Sequence, residues 1–120
     1  MSPFIPAPVK PNVPLSVFEA LDIRLGTITA VHDVPGSRKL IKLTVSFGGR
    51  PRQILAGMKQ ERPNASELVG EQALFVVNLD PKEMAGEMSE GMLLDIGHAD
   101  GLIPALAIPE RKMPDGTRAG

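Results

Sequence analysis

Short segments with the alternating apolar and polar pattern of β-strands recur along the chain, and no segment has the apolar period of a long helix. The clearest alternation places Leu43, Val45 and Phe47 on one face and Lys42 on the other. Five such segments are predicted strands, at residues 23–31, 40–47, 52–56, 72–78 and 91–96. Because turns rich in glycine and proline join them, the sequence favours an antiparallel sheet.

A short helical segment separates the third strand from the fourth. Residues 63–70 lose the alternation and end at a glycine, which is typical of one or two helical turns. A parallel α/β sheet needs longer crossover helices, and an eight-stranded barrel needs more strands. The order therefore predicts an all-β fold: a five-stranded OB-fold barrel with short helices at the N-terminus and between strands 3 and 4.

The N-terminal helix is predicted from a capping box. Ser16 is followed three residues later by Glu19, so a short helix is expected over residues 17–21. Phe18 and Leu21 are three positions apart and are expected to share its buried side.

Glycine and proline mark the irregular positions of the sheet. Gly26 lies inside the first strand and predicts a bulge or sharp bend. Gly48 and Gly49 predict a hairpin between the second and third strands, with Arg50 at its tip. Three further features are predicted: a loop at residues 82–90, an edge strand at 102–108 and a terminal turn at 114–116.

The length of 120 residues suits one domain with one core. Five prolines in residues 2–14 are incompatible with a helix or central strand, so we expect a proline-rich arm at 1–15 and an OB-fold domain at 16–120. No apolar run approaches the roughly 20 residues that cross a membrane, and the N-terminus lacks the pattern of a signal peptide. We therefore expect a cytoplasmic protein that does not insert into membranes.

Residues for catalysis or metal binding are scarce. The chain has no cysteine, which removes disulfides, thiolate metal sites and cysteine nucleophiles. His32 and His98 lie far apart and lack ligand spacing, and no phosphate-binding glycine loop or nucleophile elbow is present. The sequence predicts a protein that is not an enzyme and needs no cofactor or metal.

Charge is distributed unevenly, although the net charge is −1. Residues 38–62 hold seven basic residues and one acid, whereas residues 63–120 hold four basic residues and ten acids. Such a block can form a local positive face that attracts phosphate, or it can be a set of solvated strand faces.

The few aromatic residues limit the mode of any nucleic-acid binding. The chain has four phenylalanines and no tyrosine or tryptophan, and Phe18, Phe47 and Phe75 are expected in the core. A stacking surface for several bases is therefore excluded, and RNA contacts are expected on phosphates and riboses. Met92 follows the loop and either contacts a ligand or packs inside.

Several motifs in order resemble the small tRNA-binding domain family, which occurs free, fused to methionyl-tRNA synthetases and in the export chaperone CsaA. They are Asp22-Ile23-Arg24-Leu25-Gly26-Thr27-Ile28, Lys39-Leu40, Leu68-Val69-Gly70, Asn78-Leu79-Asp80-Pro81 and Gly86-Glu87-Met88-Ser89-Glu90-Gly91-Met92-Leu93-Leu94. The resemblance spans about residues 18–117 and implies a homodimeric OB-fold module that grips folded tRNA without sequence preference.

The resemblance also implies functional residues. Nucleic-acid contacts are expected at Lys39, Lys42, Arg50, Arg52, Lys82, Ser89 and Met92, where the cations neutralise phosphates and the Ser89 hydroxyl bonds a phosphate or ribose. The family's dimer contacts are expected at Phe18, Leu21, Leu102, Ile103, Leu106 and Ile108, which otherwise only close the ends of the barrel.

Two alternative functions remain open from the sequence. A CsaA-like export chaperone binds unfolded preproteins or peptides, and an accessory subunit delivers tRNA to an aminoacyl-tRNA synthetase. The Gly-Met-Leu-Leu run at residues 91–94 differs from the valine-rich run of CsaA and favours tRNA, whereas the acidic second half disfavours it.

Overall fold

The computed structural model describes residues 3–120 and contains one main antiparallel sheet. Its five strands are β1 at Ile23–Asp33, β2 at Ile41–Ser46, β3 at Arg52–Ala56, β4 at Gln72–Val76 and β7 at Met92–Leu93. They lie in the order β3-β2-β1-β4-β7. The Glu90 amide donates to the Gln53 carbonyl at 2.8 Å, so the segment before β7 lies against β3 and nearly closes a barrel. The predicted all-β OB-fold is confirmed.

Two small hairpins and three short helices complete the structure. The hairpin strands are β5 at Lys82–Met84, β6 at Glu87–Ser89, β8 at Asp95–Ile96 and β9 at Ala105–Leu106, and β5 pairs with β6 as β8 pairs with β9. The helices are α1 at Leu15–Glu19 and two 3-10 turns at Ala65–Leu68 and His98–Asp100. The turn between β3 and β4 confirms the predicted helical segment.

Strand β1 is long and curved, and it pairs with a different strand along each of its two parts. Its second part pairs with β2 and its first part with β4. Gly26 was predicted to form a bulge or a sharp bend, and the first alternative is wrong because the bulge lies between Ile28 and Ala30. Gly26 is needed for close packing instead, because a Cβ there would lie 2.6 Å from atoms of both Phe47 and Val45.

Apolar side chains of the five main strands fill the barrel. Ile28, Leu43, Val45, Ile54 and Phe75 are fully buried, which confirms the inward face predicted for β2. Phe47 packs edge-on against Phe75 with ring centroids 5.4 Å apart. Each such side chain stabilises the fold by about 1.5–3 kcal/mol relative to an exposed one.

Helix α1 differs from its prediction. It begins at Leu15, directly after Pro14, and no side chain caps it, so the predicted capping box of Ser16 and Glu19 is wrong. Proline fixes the extended backbone that precedes the helix and starts it two residues early. No residue of α1 is buried, and Phe18 and Leu21 are 44% and 43% exposed where a shared buried side was expected.

The residues before α1 form neither helix nor strand from residue 3 to residue 14. The predicted arm at 1–15 begins with two residues, Met1 and Ser2, that lie outside the described part of the chain. The division into an arm and an OB-fold domain remains a prediction.

The region predicted as a loop is a β-hairpin. Strands β5 and β6 are joined by Ala85 and Gly86, whose φ angles of 51° and 81° suit a tight two-residue turn. The predicted fifth strand at 91–96 is two strands, since β7 pairs with β4 and β8 pairs with β9. The predicted edge strand at 102–108 is reduced to β9, which begins directly after Pro104.

The predicted turn at 114–116 is confirmed, and the chain then returns along β1. The Leu25 amide donates to the Thr117 carbonyl at 2.9 Å, and the Ala119 amide donates to the Ile23 carbonyl at 2.9 Å. This segment covers the edge of β1 that β2 leaves unpaired. In the described part of the chain, no helix is long and apolar enough to cross a membrane.

Candidate nucleic-acid interface

The β2–β3 hairpin presents three of the predicted cations. Lys42 lies on β2 opposite Leu55, Arg50 lies in the connecting turn, and Arg52 begins β3 opposite Val45. The clean alternation of β2 turns Lys42 away from the core, as the sequence predicts. The side chains nevertheless have different surroundings, which the sequence did not reveal.

Lys42 is paired with a carboxylate of the second hairpin. Its Nζ lies 3.2 Å from Glu87 of β6, and both side chains are about one-quarter to one-third exposed. Lys42 therefore points away from the core without being fully exposed, because the β5–β6 hairpin folds over this part of the β2–β3 surface. A pair this exposed contributes about 0–1 kcal/mol to stability.

Arg50 is paired in a similar way with Glu90. Its Nη2 donates to Glu90 Oε2 at 2.9 Å, and the Gln53 amide donates to Oε1 at 3.1 Å. The Gln53 amide, followed by Arg50, lowers the pKa of the Glu90 carboxyl. Arg50 is still three-quarters exposed, so its guanidinium remains accessible to a ligand.

Arg52 is held by backbone carbonyls and does not lie on the outer face of the hairpin. Its Nη1 donates to the Val77 carbonyl at 2.7 Å and to the Glu90 carbonyl at 3.2 Å. Its guanidinium carbon lies 6.0 Å from the centre of the Phe47 ring. Because its strand partner Val45 faces the core, Arg52 lies at one end of the barrel.

Lys39 lies exposed in the loop between β1 and β2. Lys59, which the sequence did not single out, fixes this loop, since its amide donates to the Lys39 carbonyl at 3.0 Å and its Nζ to the Ser37 carbonyl at 2.6 Å. Within residues 3–120, Lys39 forms no ion pair, so its charge is available.

Lys82 and Ser89 face each other across the β5–β6 hairpin but differ in exposure. Lys82 is exposed, whereas Ser89 is only 4% exposed. The Leu55 amide donates to Ser89 Oγ at 3.0 Å, and Oγ donates to the Gly91 carbonyl at 2.9 Å. The Ser89 hydroxyl is thus engaged inside the protein, and this geometry gives it a supporting role where a phosphate contact was expected.

Met92 lies at the edge of an apolar pocket of about 360 Å³ and is 46% exposed. Of the two alternatives for Met92, packing inside the barrel is therefore not met. Met58 and Met84 line the same pocket, together with His98 near its rim. Met84 and Met92 lie close together in the sequence, whereas Met58 comes from a distant segment.

The expected dimer residues lie mostly on the surface. Ile103 is 81% exposed, and the other exposed members are Phe18, Leu21, Leu102 and Ile108. Leu106 differs, because it is partly buried and packs against the core. Leu106 lies in β9, where it helps to close the end of the barrel.

These side chains supply cations and thioethers for binding. In the described part of the chain, no three histidine, cysteine, aspartate or glutamate residues group in a way that could hold a metal ion. The exposed cations lie on the β2–β3 hairpin, the β1–β2 loop and the β5–β6 hairpin, which are the regions where OB-folds bind oligonucleotides.

The chain is similar to synthetase domains in sequence. It matches the family model described as "Putative tRNA binding domain" over residues 23–118. The "Methionine--tRNA ligase" of Bacteroides fragilis is 36% identical over 110 residues, which are 92% of this chain and 16% of that protein. The corresponding ligase of Methanococcus maripaludis is 37% identical over 106 residues, 88% of this chain and 16% of that protein. The chain thus spans about one-sixth of the length of these relatives.

Two solved structures share most of the fold. One is the "MetRS related protein from Pyrococcus horikoshii", with a TM-score of 0.84, 32% identity and coverage of 92% of this chain and 100% of that chain. The other is the chaperone CsaA from Bacillus anthracis, with a TM-score of 0.80, 32% identity and the same coverage. Together with the family match, which covers most of the sequence, they show that the chain belongs to the putative tRNA-binding domain family.

Proposed function

We propose that this chain binds tRNA by its shape and phosphate backbone, without catalysis and without a cofactor or metal. The observation that carries the proposal is the position of the cations: Lys39, Arg50 and Lys82 are exposed on the OB-fold regions that bind nucleic acids, in a chain of this family. Lys42 joins them when Glu87 releases it. Met92 supplies an adaptable apolar contact beside them. A cytoplasmic location is part of the proposal.

Phosphate contacts suit the surface better than base stacking. Phe47 and Phe75 pack into the barrel, and neither lies on the β2–β3 outer face. Lysine and arginine side chains can instead follow the backbone of a folded RNA, which carries no sequence information by itself. Binding should therefore be similar for different tRNAs and strongly dependent on salt.

The proposal includes a homodimer, which would double the phosphate contacts of a small surface. The homodimer is supported by apolar residues around α1 and after β8 that are exposed to solvent. They include Phe18, Leu102 and Ile103. Burial of such residues is favourable at about 25 cal/mol per Å² of apolar surface. A second copy that places its own cations beside the first would raise the affinity for one tRNA.

Peptide binding is a second candidate function, and the methionine-lined pocket favours it. Methionine side chains adapt their shape to different apolar partners, as a protein that binds varied sequences requires. The similarity to the chaperone CsaA from Bacillus anthracis agrees with this function. Under it, unfolded preproteins would be the partners.

Delivery of tRNA to an aminoacyl-tRNA synthetase deepens the main proposal. The relatives with known names are methionine–tRNA ligases that include a segment similar to this chain. This chain would supply the same tRNA contact by binding to a ligase and to the tRNA at the same time.

The proposed function is tested by titrating labelled tRNA at several salt concentrations, with and without an unfolded signal peptide. Saturable binding that weakens with salt and is unaffected by the peptide is expected. Lys39→Ala and Lys82→Ala should each lower the slope of log affinity against log salt by about 0.7–0.9.

Lys112→Ala is the matched control, because Lys112 is an exposed lysine outside these regions. Its slope should equal that of the wild type. Absence of tRNA binding with clear peptide binding would replace the main proposal with the chaperone function.

A further inference from the structure

Three arginines, Arg24, Arg52 and Arg118, lie near enough to Asp22 to act on its charge, at the end of the barrel where Arg52 lies. Asp22, Arg24 and Arg52 line a pocket of about 190 Å³, and Phe47 forms part of its wall. Arg118 lies directly opposite Arg24 in an antiparallel bridge between β1 and the C-terminal segment. Barrel mouths are common positions for ligand sites.

The single carboxylate neutralises only one of these arginines. Both oxygens of Asp22 accept hydrogen bonds from Arg24, at 2.8 and 3.1 Å. Arg52 is bonded to neutral carbonyls, and among residues 3–120 no carboxylate forms an ion pair with Arg118. The hydrogen bond from Arg24 lowers the pKa of Asp22, and the charges of Arg118 and Arg52 lower it further. The cluster therefore has an excess of positive charge.

Two guanidinium groups of this cluster, those of Arg24 and Arg52, are held in place before any ligand binds. Arg52 uses Nη1 for both of its carbonyl bonds, so Nε and Nη2 can still donate. Arg24 is held by Asp22, and its Nη1 also lies 3.4 Å from the Gly116 carbonyl. Fixed arginine forks lose little conformational entropy when they bind phosphate, and they match its geometry.

Arg118 lies opposite Arg24 with no carboxylate of its own among residues 3–120, and Asp22 offsets only the charge of Arg24. Like charges directly opposite each other on neighbouring strands destabilise a sheet. An anion between the two guanidinium groups would remove this repulsion and bond to both.

From this geometry we propose that Arg24, Arg52 and Arg118 form a binding site for one phosphate group of the RNA backbone. The inference rests on the proposed function and extends it, because Arg24 and Arg118 belong to no contact expected from the sequence. The site is continuous with Arg50, since Glu90 contacts both Arg50 and Arg52. The RNA backbone would run from the tip of the β2–β3 hairpin to the end of the barrel.

Arg118→Ala tests the site, because the side chain is exposed and its segment pairs with β1 through backbone groups. The variant should have a thermal midpoint no lower than that of the wild type, since it removes a like-charge pair, and it should lower the salt slope of tRNA binding by about 0.7–0.9. Lys112→Ala, which removes one charge from the same C-terminal segment, should leave the slope unchanged. An unchanged slope in Arg118→Ala, with normal binding by the wild type, overturns the site and leaves the proposed function intact.

A second measurement separates this inference from the failure of tRNA binding. Inorganic phosphate is titrated into the full chain while the Nε–H resonances of the arginines are followed by NMR, with sodium chloride at equal ionic strength as the control. Saturable shifts of Arg24 and Arg52 that are reduced in Arg118→Ala and Arg118→Lys support the site even if tRNA does not bind. Shifts equal to those in sodium chloride overturn it.

Discussion

The Leu55 amide donates a hydrogen bond of 3.0 Å to the Ser89 hydroxyl and so fixes the end of β6 against β3. The hydroxyl also donates to the Gly91 carbonyl, which holds the segment leading to β7. Ser89 therefore connects the β5–β6 hairpin to the barrel. This connection explains why a serine stands at position 89, within the motif that resembles the binding element of the family.

Ser89→Ala should lower the free energy of unfolding by about 1–3 kcal/mol, because the buried amide of Leu55 loses its acceptor. Urea denaturation measures this change. Ser46→Ala is the control, since Ser46 Oγ makes only a long 3.4 Å bond with the Gly48 amide in an exposed turn. Wild-type stability of Ser89→Ala combined with lost tRNA affinity would show instead that the hydroxyl contacts RNA.

Glu87→Gln should increase the affinity for tRNA, because it removes a negative charge and releases Lys42 for a phosphate contact. The salt slope should become steeper by about 0.7–0.9, while stability changes by less than about 1 kcal/mol. Fluorescence anisotropy with labelled tRNA measures both affinity and slope. Glu110→Gln, which breaks a long and exposed pair with Arg111, should have little effect. Equal slopes for Glu87→Gln and wild type would exclude Lys42 from the contacts.

Glu90 should make stability depend on pH in the acidic range. The Gln53 amide and Arg50 lower its pKa in the folded protein below the ordinary value of 4.5. Its contribution is therefore fully present above pH 4.5 and is lost as the pH falls through the lower folded-state pKa. Urea denaturation on both sides of this pH should show a smaller loss in Glu90→Gln than in the wild type. Glu83→Gln, an exposed carboxylate of the same region, should behave like the wild type.

Ile103→Asp should weaken the proposed homodimer by about tenfold or more, because it would place a charge in an apolar contact. Analytical ultracentrifugation over a range of protein concentrations measures the dissociation constant. Val69→Asp is the control, since Val69 is an exposed apolar residue beside the 3-10 turn that precedes β4. A wild-type dissociation constant for Ile103→Asp would exclude this surface from the interface.

The sequence predicted the strands whose alternation is strong. Residues of β2 such as Leu43 and Val45 face the core as expected, because period-two alternation is a local property of the chain. The helical turn before β4 was also predicted from local signals. Where short segments depend on distant partners, prediction was weaker: the β5–β6 hairpin and the division of residues 91–96 into β7 and β8 were missed.

The predicted site shows the same difference between local features, which the sequence predicted, and contacts between distant residues, which it did not. The exposure of Lys39 and Lys82 follows from their places in a turn and at a hairpin edge, whereas the pairing of Lys42 with Glu87 joins residues 45 positions apart. Ser89 was expected to contact a ligand because the resemblance to the family implies that role. The amide of Leu55, which no pattern near Ser89 indicates, decides otherwise.

The sequence alone determined the barrel, the basic block of residues 38–62 and the family to which the chain is similar, since these depend on alternation, composition and motif order. The tertiary structure alone decided which charges are paired and which are available. It brought Arg24, Arg52 and Arg118 together around Asp22 from three separate segments. The reason is physical: side-chain electrostatics depend on distances of a few ångströms, and those distances are set by how the strands close on each other.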